Sequence, residues 1–172
     1  MPSPPRSPAR TTDGVNKPPK RKYTDVIVGK EDTTRTFIVH QDFIYAKSKI
    51  FKAACSARSP EGQEKTGKLE DVKPGLFAPY VCWTYYEDWE LEVGNDNSPA
   101  HATECMDVYL LAVRLDDTAL RNHATICFRN ACLGTTMYCP GRTFVQCVYN
   151  STVAGSKFRA LMVDIYFAAR DR

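Results

Sequence analysis

Hydrophobic and polar positions follow two periods along the chain, one near two in short runs of the first half and one near 3.6 in the segments that dominate the second. Thr24-Asp25-Val26-Ile27-Val28 starts a short β-branched run just after Tyr23, Gly29 to Thr34 is polar, and Arg35-Thr36-Phe37-Ile38-Val39 is a second run. Two such runs across a short polar turn predict a β-hairpin. After His40 the period changes: Phe43, Ile44, then Ile50, Phe51 and Ala54 predict two short helices broken near Ser48, which is placed to cap the second. Ser59 to Thr66 is a polar loop, and Lys68-Leu69-Glu70-Asp71-Val72 alternates as a third strand would.

Pro74 suits the first turn of a helix, where its missing N–H costs nothing. Phe77, Tyr80, Val81 and Thr84 then recur at i, i+3, i+4 and i+7, with Leu76 and Trp83 widening the apolar face. Pro79 conflicts with that helix, since an interior proline removes one hydrogen bond and kinks the axis. Glu90-Leu91-Glu92-Val93 reads as a short strand before a polar loop at 94–99.

Helical stripes follow. Cys105, Val108, Tyr109 and Ala112 form one, and Leu120, Ala124, Cys127, Phe128 and Ala131 another, with Asp116 or Asp117 as the cap between them. A helix from about Thr143 carries Phe144, Cys147 and Val148, and Ser156 caps a last one bearing Phe158, Leu161, Met162 and Ile165. Strands gathered early with helices dominating later predict an α+β fold.

Residues 1–22 interrupt this picture. They hold six of the eleven prolines and no aromatic or large aliphatic side chain except Met1 and Val15, so they are expected to remain a disordered tail. The domain is expected at 23–131 and a C-terminal helical extension at 143–170. Charge divides at the same place: the tail carries six bases against Asp13, while the remainder carries 17 bases and 19 acids. Lys17, Lys20, Arg21 and Lys22 form a candidate nuclear-import cluster, and a solvated charge run is the plainer account of them. With the basicity confined to the tail and no helix bearing a basic stripe, nucleic-acid binding is not expected.

No apolar run reaches the length of a membrane span, and no apolar segment follows the N-terminus, so nucleus or cytoplasm is the expected location. Seven cysteines without CxxC pairs then read as free thiols, most of them small buried hydrophobes. No nucleophile-elbow, phosphate-loop, dinucleotide or HExxH motif occurs, so no enzyme and no cofactor are expected. His101 with Cys105 and His123 with Cys127 are each four apart, and on two packed helices they would supply a Cys₂His₂ metal site. Core thiols at Cys105 and Cys127, with both histidines solvent-facing or capped, are the plainer account. Tyr80, Trp83, Tyr85, Tyr86 and Trp89 make the densest aromatic group; most should pack inward, and Tyr86 and Trp89, flanked by carboxylates, are the candidates to face a partner.

Several blocks resemble the BTB/POZ domain, in particular its short fungal members. They are Asp25-Val26-Ile27-Val28 with Phe37-Ile38-Val39-His40, then Ser48-Lys49-Ile50-Phe51-Lys52-Ala53-Ala54-Cys55 and Glu61-Gly62-Gln63-Glu64-Lys65. Val72-Lys73-Pro74 with Phe77, Tyr80-Val81-Cys82-Trp83-Thr84-Tyr85, and Tyr109-Leu110-Leu111-Ala112 through Leu120-Arg121-Asn122 continue it. The resemblance covers about residues 23–130. It implies a small β-sheet flanked by helical hairpins, with the extra C-terminal helices beside them. It further implies homotypic or heterotypic protein contacts, either as a substrate adaptor of a cullin-RING ubiquitin ligase or in nuclear co-regulator recruitment. It also marks Asp25, His40, Gln41, Ser48 and Phe51 as family-motif positions.

Three departures bear on the partner. Gln41 stands where many members have a base facing Asp25, Tyr86-Glu87-Asp88 replaces a usual Gly, and the Pro-rich tail does not supply the leading helix and strand exchanged in dimers. A homo-oligomer fits the resemblance; a strand-swapped one does not.

Overall fold

The computed structural model describes residues 22–54, 66–89, 99–134 and 138–170. The predicted strand at Glu90–Val93, Cys55 and the tail before Lys22 lie outside them. Strands β1 (Tyr23–Val28) and β2 (Arg35–His40) are followed by helices α1 (Gln41–Lys47) and α2 (Lys49–Ala54), then β3 (Thr66–Leu69). Helices α3 (Pro74–Tyr86), α4 (Pro99–Arg114), α5 (Thr118–Leu133), α6 (Arg142–Ser151) and α7 (Lys157–Arg170) complete the described chain. The fold is α+β.

The sheet has the order β2-β1-β3, with β1 antiparallel to β2 and parallel to β3. Alternation sends Thr24, Val26, Val28 and Val39 to the core and Tyr23, Asp25, Ile38 and His40 to the opposite face. Gly29 closes β1 with φ of 94°, and an added Cβ there would lie 2.9 Å from the Thr33 carbonyl oxygen. The third strand ends at Leu69, three residues short of the predicted Val72. Its partner β1 ends where Val28 pairs with Leu69, and the next amide, Gly29, already donates to the Leu69 oxygen at 3.0 Å. Nothing is left for residues 70–72 to pair with, so they turn.

Ser48 joins α1 to α2. Its fully buried Oγ donates to the Leu115 carbonyl at 2.7 Å and accepts from the Phe51 amide at 3.2 Å, capping α2 while anchoring it to the far end of α4. Phe51 in turn presses on Gly67 of β3, where an added Cβ would sit 2.6 Å from the ring.

In α3, Pro74 occupies the first turn and Pro79 is tolerated in the interior. Gly75, whose carbonyl loses the Pro79 donor, is an exposed residue, so the lost bond falls on the solvent side of the helix and not in the core. Phe77, Tyr80, Trp83 and Thr84 form the buried face. Glu87 then ends the helix with φ of 56°. The left-handed conformation that a glycine would take freely is therefore held here by a glutamate.

Helices α4 and α5 form a tight hairpin. Asp116 takes φ of 49°, Asp117 donates its amide to the Ala112 oxygen at 2.9 Å, and the Asp117 carboxylate caps α5 at the Leu120 amide, 3.0 Å away. The α6–α7 hairpin packs on that pair through neighbouring rings: Tyr109 and Phe158 at 4.4 Å, Phe158 and Phe128 at 4.7 Å, Phe128 stacked on Phe144 at 5.5 Å. A hydrogen bond of 3.0 Å between Tyr109 Oη and Ser156 Oγ fixes the turn, and Ser156 caps α7 through the Phe158 amide. The core runs without a break from the buried sheet face to Met162 and Ile165. No described helix is long and apolar enough to cross a membrane.

Candidate functional site

The solvent face of the sheet and the open side of α1 and α3 meet in one group of partly exposed rings. Pairing of β1 with β2 sets Tyr23 opposite His40, their rings 4.4 Å apart. The chain turns directly from His40 into α1, which brings Phe43 to 5.9 Å from the imidazole. Tyr85, on the last turn of α3, completes the group at 4.7 Å from Phe43 and 5.7 Å from His40, with Tyr86 next to it at 6.2 Å. Tyr86 is 78% exposed, Ile38 68%, and Tyr23 and Phe43 each more than 40%.

His40 is the joint of this surface. Its amide donates to Tyr85 Oη at 3.1 Å and its Nδ1 lies 2.7 Å from the same oxygen. A neutral imidazole with its proton on Nε2 satisfies both contacts, because the hydroxyl then donates to Nδ1. The tyrosine is thereby held in one orientation, and a rigid ring loses little conformational entropy when a partner covers it. Gln41 fixes the strand beneath: its buried side-chain amide donates to the Tyr23 carbonyl at 3.0 Å, and its own backbone amide to the Lys22 carbonyl at 2.9 Å. Asp25 is exposed at the rim, opposite Ile38.

Behind the rings lies a polar seam. Lys47 pairs with Glu87 and places its ammonium 5.6 Å over the Trp83 ring. Trp83 Nε1 donates to Asp117 at 3.1 Å, so the ring that supports α3 is tied to the α4–α5 turn. Burial, reinforced by the Asp117 charge, pushes the Tyr80 phenol far above its ordinary range.

Trp89 does not face outward. It is 5% exposed and belongs to the core, because the chain leaving α3 at Glu87 folds back over the helix instead of running into solvent. Tyr86 alone of that predicted pair lies on the surface. Ser48 and Phe51 are core joints and touch nothing outside. Of the four candidate tail bases only Lys22 falls among the described residues, and it is exposed.

His101 and Cys105 are buried in α4, whereas His123 of α5 reaches its own Cys127 at 3.5 Å and stacks against Trp83 at 5.2 Å. Among the described residues no three His, Cys, Asp or Glu side chains come together as a metal site would require. Burial raises the thiols of Cys105 and Cys132 to about 12 and that of Cys127 in the same direction, so all three stay protonated at neutral pH. The expectation that most cysteines are buried holds, among the described residues, for Cys105 and Cys132; Cys127 is half-buried, and Cys82, Cys139 and Cys147 are exposed. For Cys147 the reason is the angle of α6, which turns Val148 inward and its neighbour out.

Sequence reasoning missed Tyr23, Ile38, Phe43 and Tyr85 as members of one surface. The outward register of positions 23, 38 and 40 was available from the alternation; the approach of α3 to them was not. Compared with known proteins, the chain matches no protein-family model and no curated protein.

Proposed function

We infer that this chain is a non-enzymatic protein-interaction domain of the BTB/POZ type, serving as a substrate adaptor of a cullin-RING ubiquitin ligase or as a self-associating scaffold. The observation that carries the reading is the platform of Tyr23, His40, Phe43, Tyr85 and Tyr86. Aromatic side chains held rigid at a surface are the usual anchors of protein interfaces, and here Tyr23, Phe43 and Tyr86 are exposed beside the half-buried His40 and Tyr85. The small sheet with flanking helical hairpins agrees with the resemblance in the sequence blocks.

The test compares the full chain with its Phe43→Ala/Tyr86→Ala variant. Affinity purification from the native cell, read by mass spectrometry, should recover a cullin or a co-regulator with the first and lose it with the second. Light scattering on the same samples reports self-association. A monomer that recovers neither, or identical recovery with both proteins, would remove the reading. The alternative, a nuclear co-regulator directed by the tail, rests on Lys17, Lys20, Arg21 and Lys22; deletion of residues 17–22 should then move the tagged protein from nucleus to cytoplasm.

A further inference from the structure

The outer face of the α6–α7 hairpin is a second surface, separate from the aromatic platform. Val145 and Tyr149 on α6 and Val163, Tyr166 and Phe167 on α7 line a shallow groove of about 280 Å³. Tyr149, Val163, Tyr166 and Phe167 are each at least 40% exposed, so apolar surface is left in water along both helices. The two helices run antiparallel: Tyr166 Oη donates to the Pro140 carbonyl, which brings the end of α7 beside the start of α6.

Three arginines frame this groove. Arg142 is one turn before Val145 on the same face of α6, and Arg170 extends over the Phe167 ring at 5.7 Å. Both stand at the open end of the hairpin. At its closed end Arg159 lies 4.7 Å over the Tyr149 ring, with Nε donating to Thr152 Oγ1 at 2.9 Å and its guanidinium to the Tyr149 carbonyl at 2.7 Å. Among the described residues no carboxylate lines the groove. Residues 142–170 carry four bases and one acid, Asp164, while residues 23–134 carry twelve bases and seventeen acids. Among the described residues, those of 23–134 carry ten bases and twelve acids, so the excess of positive charge lies in the segment that holds the groove.

We propose that this groove binds an acidic amphipathic helix of a partner protein. An apolar stripe at i, i+3, i+4 and i+7 would lie between α6 and α7, and its flanking carboxylates would meet Arg142 and Arg170 at one end and Arg159 at the other. Charge complementarity selects an acidic helix over a neutral or basic one. The inference does not depend on the BTB/POZ reading.

The test is a titration of the isotope-labelled full chain, followed by NMR, with a designed helix of about 18 residues that has Leu and Phe on one stripe and Glu elsewhere. Resonances of α6 and α7 should shift while those of Tyr23, Phe43 and Tyr86 stay in place. Binding should weaken about tenfold for Arg142→Glu/Arg170→Glu and by a similar factor for Phe167→Ala, circular dichroism confirming that both variants fold. The same helix with Lys in place of Glu should not bind. Equal binding of the Lys version, or no shift with the Glu version, overturns the proposal. So does a concentration-dependent dimer abolished by Phe167→Ala, which assigns the groove to a second copy. Sedimentation with phosphatidylserine vesicles, absent with neutral ones and lost in Arg142→Glu/Arg170→Glu, assigns it to an anionic membrane surface instead.

Discussion

Replacing Asp117 by Ala separates two bonds made by one buried carboxylate. The residue is 2% exposed; one oxygen caps α5 at the Leu120 amide, 3.0 Å away, and the other accepts from Trp83 Nε1 at 3.1 Å. Loss of a helix cap costs about 1 kcal/mol. The Trp83 ring is 4% exposed, so its N–H is left buried without an acceptor, which costs roughly 1–3 kcal/mol more. Asp117→Ala should therefore destabilise by about 2–4 kcal/mol, a fall in Tm of roughly 4–16 °C for a chain of this size. Asp117→Asn should cost less, because the amide retains one acceptor and can serve either the cap or the indole. Trp83→Phe removes the indole donor, and combined with Asp117→Ala it should cost less than the two changes summed. The assay is urea unfolding of the four variants with a common m-value. A loss under about 1 kcal/mol for Asp117→Ala, or strict additivity with Trp83→Phe, would refute the argument that the carboxylate joins α3 to the α4–α5 turn.

The buried thiols give a pH prediction. Cys105 and Cys132 are raised from 9.0 to about 12 in the folded chain, so each adds stability that is intact below pH 9 and is lost as pH climbs toward 12. By about pH 10.5 the loss should reach roughly 1–2 kcal/mol per thiol, and Cys105→Ala/Cys132→Ala should flatten the alkaline slope; an unchanged slope counts against it. Gly67→Ala should destabilise by about 1–3 kcal/mol in denaturant unfolding, since the new Cβ meets the buried Phe51 ring at 2.6 Å; a neutral result would mean that α2 shifts freely. Tyr86→Ala should change stability by less than about 0.5 kcal/mol while reducing partner recovery, the combination that separates a contact residue from a core one. Glu87→Gly relieves a left-handed glutamate but loses the exposed ion pair with Lys47, so the net change should be within about 1 kcal/mol of zero, read by thermal melting.

Local chemistry determined a good deal of this protein by itself. The β1–β2 hairpin, the break at Ser48, Pro74 in the first turn of α3, and the caps Asp117 and Ser156 are each decided by residues within about four positions, the range over which hydrogen bonds to backbone and steric limits on φ act. The stripes of α4, α5 and α7 follow for the same reason, since a period of 3.6 is a property of the segment that carries it. What spans the chain could not be read that way. The end of β3 at Leu69 depends on where β1 stops, and the burial of Trp89 depends on the path the chain takes after Glu87. His101, Cys105, His123 and Cys127 have the spacing of ligands, yet among the described residues no three such side chains gather as a metal site, because packing decides which faces of α4 and α5 meet. The aromatic platform unites residue 23 with residue 86, and the groove pairs α6 with α7 through Tyr166 and Pro140. Packing is non-directional and long in range along the sequence, so only the assembled core decides which rings and charges become neighbours.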